Sequence, residues 1–266
     1  MRVFLVSLVI FLFLACDKVI DVQLPAYEPQ LVMEMYLEEG KPLRCLLMES
    51  LPYTDTAITK MVNDALVIFS DGTTRDTLFK RNNQDPITGR LYNYYHPRLV
   101  KADPTKIYTL LITGNNKKIS AKTSFSQKIT LIDSINIRQS IIAIDSFSVG
   151  LVISDPVEID NYYRFLIGKE LNHFASSPTD FRVSDISFNG KRFSFFSEAD
   201  FARNDTVLAR IYSLQKDHFE YLESIGDARR SNSNPFSQPG RIKTNITGGL
   251  GIFTTTRYTE KKIVIK

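Results

Sequence analysis

Cysteine and histidine are scarce in this chain: two cysteines and three histidines among 266 residues. His96, His173 and His218 fall in no HExxH or HxH spacing, and the cysteines form no CxxC pair, so no metal site is signalled. GxSxG and SxxK are both missing. The glycine-rich GGLG at 248–251 lacks the Gly-Lys-Ser/Thr ending of a phosphate loop, and closely spaced glycines there are expected to serve a tight strand approach. Spacing thus supplies no catalytic residue, metal or cofactor, and a non-enzyme is expected. Charge of one sign is also lacking. The chain has 33 basic and 29 acidic residues, a net +4 too weak and too mixed for a nucleic-acid footprint. With 43% hydrophobic residues and only 12 Gly and 11 Pro, a folded chain is expected, not a disordered one.

Long apolar runs are missing after the first fifteen residues, so no membrane-spanning helix is expected. Val3 to Ala15 is apolar except for Ser7 and follows Arg2. It is shorter than the ~20 residues of a span and has the length and flanks of a signal peptide. Phe13-Leu14-Ala15-Cys16 resembles a bacterial lipobox, with Phe13 where leucine is usual. Residues 1–15 then form a lipoprotein signal peptide and Cys16 takes the lipid, which makes a membrane the first expected partner. At ~0.8 kcal/mol per buried methylene, several acyl chains hold a domain firmly. Pro25 and Pro29 make 16–29 an extended tether. Cys45 is left without a disulfide partner and reads as a small buried hydrophobe in a strand.

Short β-type runs fill the rest. Leu31, Met33, Met35 and Leu37 alternate with Val32, Glu34 and Tyr36, and Phe147, Val149, Leu151 and Ile153 fall on one face with a period of two. Asp71-Gly72, Asn115-Asn116 and Asn189-Gly190 read as turns, the first and last as hairpins. The spacing predicts a mainly β chain with two β-sandwich-like, immunoglobulin-like domains, at 30–126 and 127–266. One short helix is expected at 214–225 in the second, capped by Ser213 and ended by Gly226. The segment after Gly248 reads as a kinked approach to a last hairpin.

Candidate contact residues are few. Tyr92, Tyr94 and Tyr95 offer aromatic faces with polar tips to a partner or ligand, although tyrosine is also a favoured strand residue. Asp155, Glu158 and Asp160 offer carboxylates in six residues without an EF-hand pattern, so a solvated turn is the simpler reading. A ligand site at the domain junction is expected near 124–130.

The stretches CDKVIDVQLPAYEPQLVMEMYLEEG (16–40) and NPFSQPGRIKTNITGGLGIFTTT (234–256) resemble a lipoprotein family of Bacteroidota, the domain of unknown function 4249. DHFEYLESI and DFRVSDISFNGKRFSF are similar to it as well. The resemblance implies an outer-membrane lipoprotein encoded beside SusC-like TonB-dependent transporters, with a transporter as partner and a part in nutrient uptake. It supplies no catalytic residues. Asn234, Pro235 and Phe236 then form either a partner-facing loop or a structural corner. Exported proteins of that phylum are O-glycosylated at Asp-Ser/Thr motifs, which makes Thr56, Thr77, Ser134 and Thr206 candidate acceptors. The expected function is that of an accessory binding lipoprotein; a structural or assembly factor and a hydrolase with a scattered site are the alternatives.

Overall fold

The computed structural model describes residues 27–52, 60–85, 88–126, 129–157, 159–170, 179–198, 200–232 and 240–266. Cys16, Thr56, Glu158, His173 and Asn234-Pro235-Phe236 lie outside the described residues.

Alternation decides the first strand. Leu31, Met33, Met35 and Leu37 are each at most 1% exposed, while Glu34, Tyr36 and Glu38 face the other way, as a period of two requires. This strand, β1 (Leu31–Glu38), is followed by β2 (Pro42–Glu49), β3 (Lys60–Met61), β4 (Leu66–Ser70), β5 (Arg75–Gln84), β6 (Leu91–Leu99), β7 (Tyr108–Gly114) and β8 (Lys117–Thr123). Asp71-Gly72 closes the β4–β5 hairpin, with Gly72 at φ +85°. Asp71 accepts the Thr73 and Thr74 N–H groups at 3.0 and 2.8 Å. Asn115 and Asn116, at φ +49° and +57°, turn β7 into β8. β5 bends between two leaves: its first residues pair with β4 and its last with β6. Buried Asn93 donates to the carbonyls of Leu47 and Val62 at 3.0 and 2.7 Å and accepts the Leu47 N–H at 2.7 Å. Its amide thereby satisfies backbone groups that the irregular strand edges leave open. Cys45 is fully buried in this core beside Tyr94 and Leu47, the environment of a small hydrophobe, and burial pushes its thiol pKa up.

The second half contributes β9 (Ser134–Gln139), β10 (Phe147–Ser154), β11 (Tyr162–Lys169), β12 (Thr179–Ser184), β13 (Arg192–Phe196), β14 (Thr206–Leu214), the helix α1 (Lys216–Asn232) and β15 (Leu250–Val264). Phe147, Val149, Leu151 and Ile153 of β10 point into a second core with Tyr163, Phe165, Val207 and Ile211. The strands order as β12-β11-β14-β15-β1-β2-β6-β5-β4-β7-β8, with β3 on β2, and a separate sheet β13-β10-β9 covers the second core. The fold is mainly β and sandwich-like, and α1 is the one α-helix among the described residues.

Three local expectations are corrected. The chain after Gly248 forms one continuous strand and no hairpin, because its first residues pair in parallel with β1 and its last pair antiparallel with β14. Asn189-Gly190 does not close a hairpin either. The strands on its two sides belong to different sheets, and the turn is instead fastened by the Gly190 N–H to Asp155 at 2.8 Å. The helix begins after Ser213, which lies in β14, and runs through Gly226 to Asn232. Its inward face carries His218, Tyr221, Ser224 and Ala228, a small and polar stripe that hydrophobic periodicity does not reveal.

The glycines of GGLG permit the long strand. A methyl group on Gly249 would lie 2.7 Å from the Leu31 carbonyl oxygen, and one on Gly251 would lie 1.9 Å from that of Met33. Gly251 also sits at φ +110°. Just before them, Thr247 bridges Ser120 of β8, which brings the far edge of the first sandwich back to the start of β15. Gly251→Ala is expected to cost about 4 kcal/mol or more, enough to prevent folding. Gly40→Ala, also at positive φ but with nothing within 4 Å of the added carbon, should cost about 1 kcal/mol. Soluble yield and urea midpoints of the two variants check this; equal losses would refute the close-approach account.

Candidate functional site

The outer face of the shared sheet carries a groove. β1 contributes Glu34, Tyr36 and Glu38, and β2 contributes Pro42, Arg44, Leu46 and Met48. The segment around β6 adds Asp85, Thr88, Arg90, Leu91 and Tyr92. The part around Arg90 has a volume of about 280 Å³. It continues into a second part of about 370 Å³ lined by Arg81, Tyr95, Arg210 and Tyr258. Residues from the two ends of the chain meet here because β15 lies beside β1 and β14 beside β15.

Guanidinium groups lie over tyrosine faces throughout the groove. Arg90 sits 3.8 Å from the Tyr36 ring centre, Arg210 3.9 Å from Tyr258 and Arg81 4.6 Å from Tyr95. Such stacking is worth about 0.5–2 kcal/mol per pair and fixes the guanidinium plane. Some of these charges are matched: Arg44 pairs with Asp85, and Arg210 donates to Glu260 at 2.6 and 2.8 Å. Arg81, Arg90 and Lys41 contact no carboxylate among the described residues. The tyrosine hydroxyls serve the acids instead. Tyr221 donates to Glu34 at 2.9 Å, Tyr36 to Glu34 at 3.3 Å and Tyr258 to Glu38 at 3.3 Å.

Three tyrosines and two arginines in and beside the groove are shifted by their surroundings. Burial, with Glu34 beside them, pushes the Tyr36 and Tyr221 hydroxyls well above the usual phenol value. Burial raises Tyr258 to about 12 against the opposing charge of Arg210. Arg210 and Arg164 are raised too: burial works against their charge, but Tyr212 and Glu260, and Asp180, outweigh it. At neutral pH these groups donate hydrogen bonds from fixed protonation states.

Of the residues singled out in sequence, Tyr92 and Tyr95 line the groove, 6.2 Å apart between ring centres. Tyr94 points into the core, 2% exposed, and its hydroxyl accepts the Ala65 N–H at 2.8 Å. Thr77 is exposed on β5, while Ser134 on β9 and Thr206 on β14 are half-buried. A separate cleft does include Ser126, Ile129 and Thr130, but its buried carboxylate, Asp155, is taken by the Tyr163 hydroxyl at 2.5 Å and by Gly190. No group of three acidic, His or Cys side chains with metal-binding geometry occurs among the described residues. Sequence reasoning did not reach Tyr36, Arg90, Arg210 or Tyr258. The outward positions of β1 were its one available signal, since Glu34, Tyr36 and Glu38 are polar or aromatic on a strand whose other face is wholly apolar.

The model for the domain of unknown function DUF4249 matches residues 17–262. The chain belongs to the DUF4249 family. No curated protein matches this DUF4249 chain in sequence. Among solved structures, one titled "Cytokine receptor complex - Crystal form 1A" aligns over 87% of this chain and 95% of its own, at 6% identity and a TM-score of 0.28.

Beside the groove, α1 covers part of the same face. Its Phe219 ring lies 5.0 Å from Tyr162, and Arg182 donates to the Leu222 carbonyl at 3.0 Å. His218 is 1% exposed, 5.5 Å from the Tyr36 ring, and neither of its nitrogens has a hydrogen-bond partner among the described residues. Burial, together with the nearby Arg90 and Arg164 charges, lowers its pKa to about 3. The unfolded chain binds a proton at His218 below about pH 6.5, whereas the folded chain does so only near pH 3. Stability is therefore lost as pH falls through that window, by at most about 1.4 kcal/mol per pH unit from this group. His218→Leu should flatten that acid limb and add about 1–2 kcal/mol at neutral pH by removing unpartnered nitrogens. Urea midpoints at neutral and acidic pH check this, and parallel losses in both proteins would refute it.

Proposed function

We propose that this DUF4249 protein is a lipid-anchored accessory component of a TonB-dependent uptake system at the outer membrane, that it acts by binding and not by catalysis, and that the arginine–tyrosine groove is its contact site. The observation that carries the binding reading is the groove itself. Its guanidiniums are stacked on tyrosines, which holds their donors in fixed planes, as a recognition surface needs. The anchor rests on Arg2, the apolar run to Ala15 and Cys16. The described residues begin within that tether, where the Tyr27 hydroxyl and the Gln30 N–H donate to Ser50 just after β2. Tethering confines the groove to a thin layer and raises its effective concentration at a membrane partner.

A structural or assembly role is favoured by one feature, the turn between β9 and β10. Ile141, Ile142 and Ile144 are 99, 92 and 74% exposed there. The turn is held by Ser140, whose hydroxyl accepts the Ile142 and Ala143 N–H groups at 3.2 and 3.1 Å. An apolar tip on an ordered turn suits a protein contact.

Affinity purification from gently solubilised native outer membranes tests both readings. The intact chain should bring down a TonB-dependent transporter, and a Cys16→Ala chain should not. Recovery of the lipidated chain alone would overturn the uptake reading. Loss of the transporter on changing Ile141, Ile142 and Ile144 to Ser, with small-ligand binding retained, would favour the assembly role.

A further inference from the structure

The part of the groove around Arg90 combines two cations that contact no carboxylate among the described residues, Arg90 and Lys41, with an apolar floor. Arg90 is half-buried and stacked on Tyr36, and it contacts no carboxylate among the described residues. The neighbouring Arg44 is already paired with Asp85. Leu46 and Met48 form the floor on β2, and Leu91, 43% exposed, forms a wall. Leu46 and Met48 are half-buried and line the groove together with Leu91.

We infer that this groove is a binding site for a small amphipathic organic acid, its carboxylate on Arg90 and its apolar body over Leu46 and Met48; this rests on the binding reading above. A guanidinium matches a planar carboxylate with two parallel hydrogen bonds. Because Tyr36 already orients Arg90, little side-chain freedom is lost on binding. The charge calls for a monoanion. The Glu34 carboxyl accepts from the same tyrosine at 3.3 Å, so a phosphate dianion would meet more like charge here than a monoanion does. The shape calls for a small molecule. At about 280 Å³ the part around Arg90 falls just below the ~300–1,000 Å³ typical of ligand clefts, room for a small body only. It also lies on a sheet face where β1 and β2 are paired on both sides, so a peptide cannot add as a strand.

The test uses the full-length chain in lipid nanodiscs, with empty discs as the blank, titrated calorimetrically with 4-phenylbutyrate and with its neutral amide. The acid should bind about tenfold more tightly than the amide, and added salt should weaken the acid selectively. Arg90→Gln should erase the preference for the acid, whereas Arg229→Gln, on the exposed side of α1, should keep it. Should Arg90→Gln fail to fold, Leu46→Glu replaces it, with loss of acid binding expected from a carboxylate in the floor. Equal affinity for acid and amide, no binding of either, or tighter binding of polyglutamate or oligogalacturonate than of phenylbutyrate would each overturn the inference. Absence of acid binding in a chain that still recovers its transporter would refute this ligand class and leave the tethered-component reading standing.

Discussion

The parallel pairing of β1 with β15 is the contact on which everything else depends. It joins residues 32–38 to residues 250–256, so the chain's first described strand is completed by its last. Glycines at 249 and 251 make the approach possible, since any side chain there would collide with the Leu31 and Met33 carbonyls. The same strand then continues to pair with β14 and closes one leaf of the second sandwich. Two hydrophobic cores are thereby fastened to one backbone strand about 50 Å long. This is a non-local arrangement, in which the ordering of nearly the whole chain precedes the reward of the central contact.

The groove is a consequence of that strand. Arg210 and Tyr258 come from the second half, Glu38 and Arg44 from the first, and only the β14-β15-β1-β2 order places them on one face. Within it, stacking and hydrogen bonding divide the work. Tyrosine rings orient guanidiniums while tyrosine hydroxyls satisfy Glu34 and Glu38. The result is a polar surface whose geometry is set before any partner arrives, the condition under which exposed charges give selectivity.

Strand residues were legible because burial on one face leaves a period of two in the sequence. The inward residues of β1 and β10 are those the alternation picks out, and the Asp71-Gly72 and Asn115-Asn116 turns close the hairpins that their backbone preferences suggest. The helix was half legible. Its existence shows in the Phe219, Leu222 and Ile225 pattern, but its extent does not, because the buried stripe of His218, Tyr221, Ser224 and Ala228 is too polar and too small to register as apolar periodicity. Tyr92 and Tyr95 were visible as an aromatic cluster, yet nothing local distinguishes them from Tyr94. That sorting follows from the pairing of Arg44 with Tyr95 and Cys45 with Tyr94 across β2 and β6.

By itself the sequence determined the class of the fold, the facing of individual strands and the purpose of the GGLG glycines, since each follows from sterics or hydrophobic period within a few residues. Tertiary structure alone decided the rest. Whether Asn189-Gly190 closes a hairpin or passes between sheets, and whether the last segment folds back or runs straight, depends on which distant strand offers open backbone hydrogen bonds. The meeting of Arg90 with Tyr36, and of Arg210 with Tyr258 across from Glu38, depends on the same long-range pairing, and no spacing along the chain encodes it.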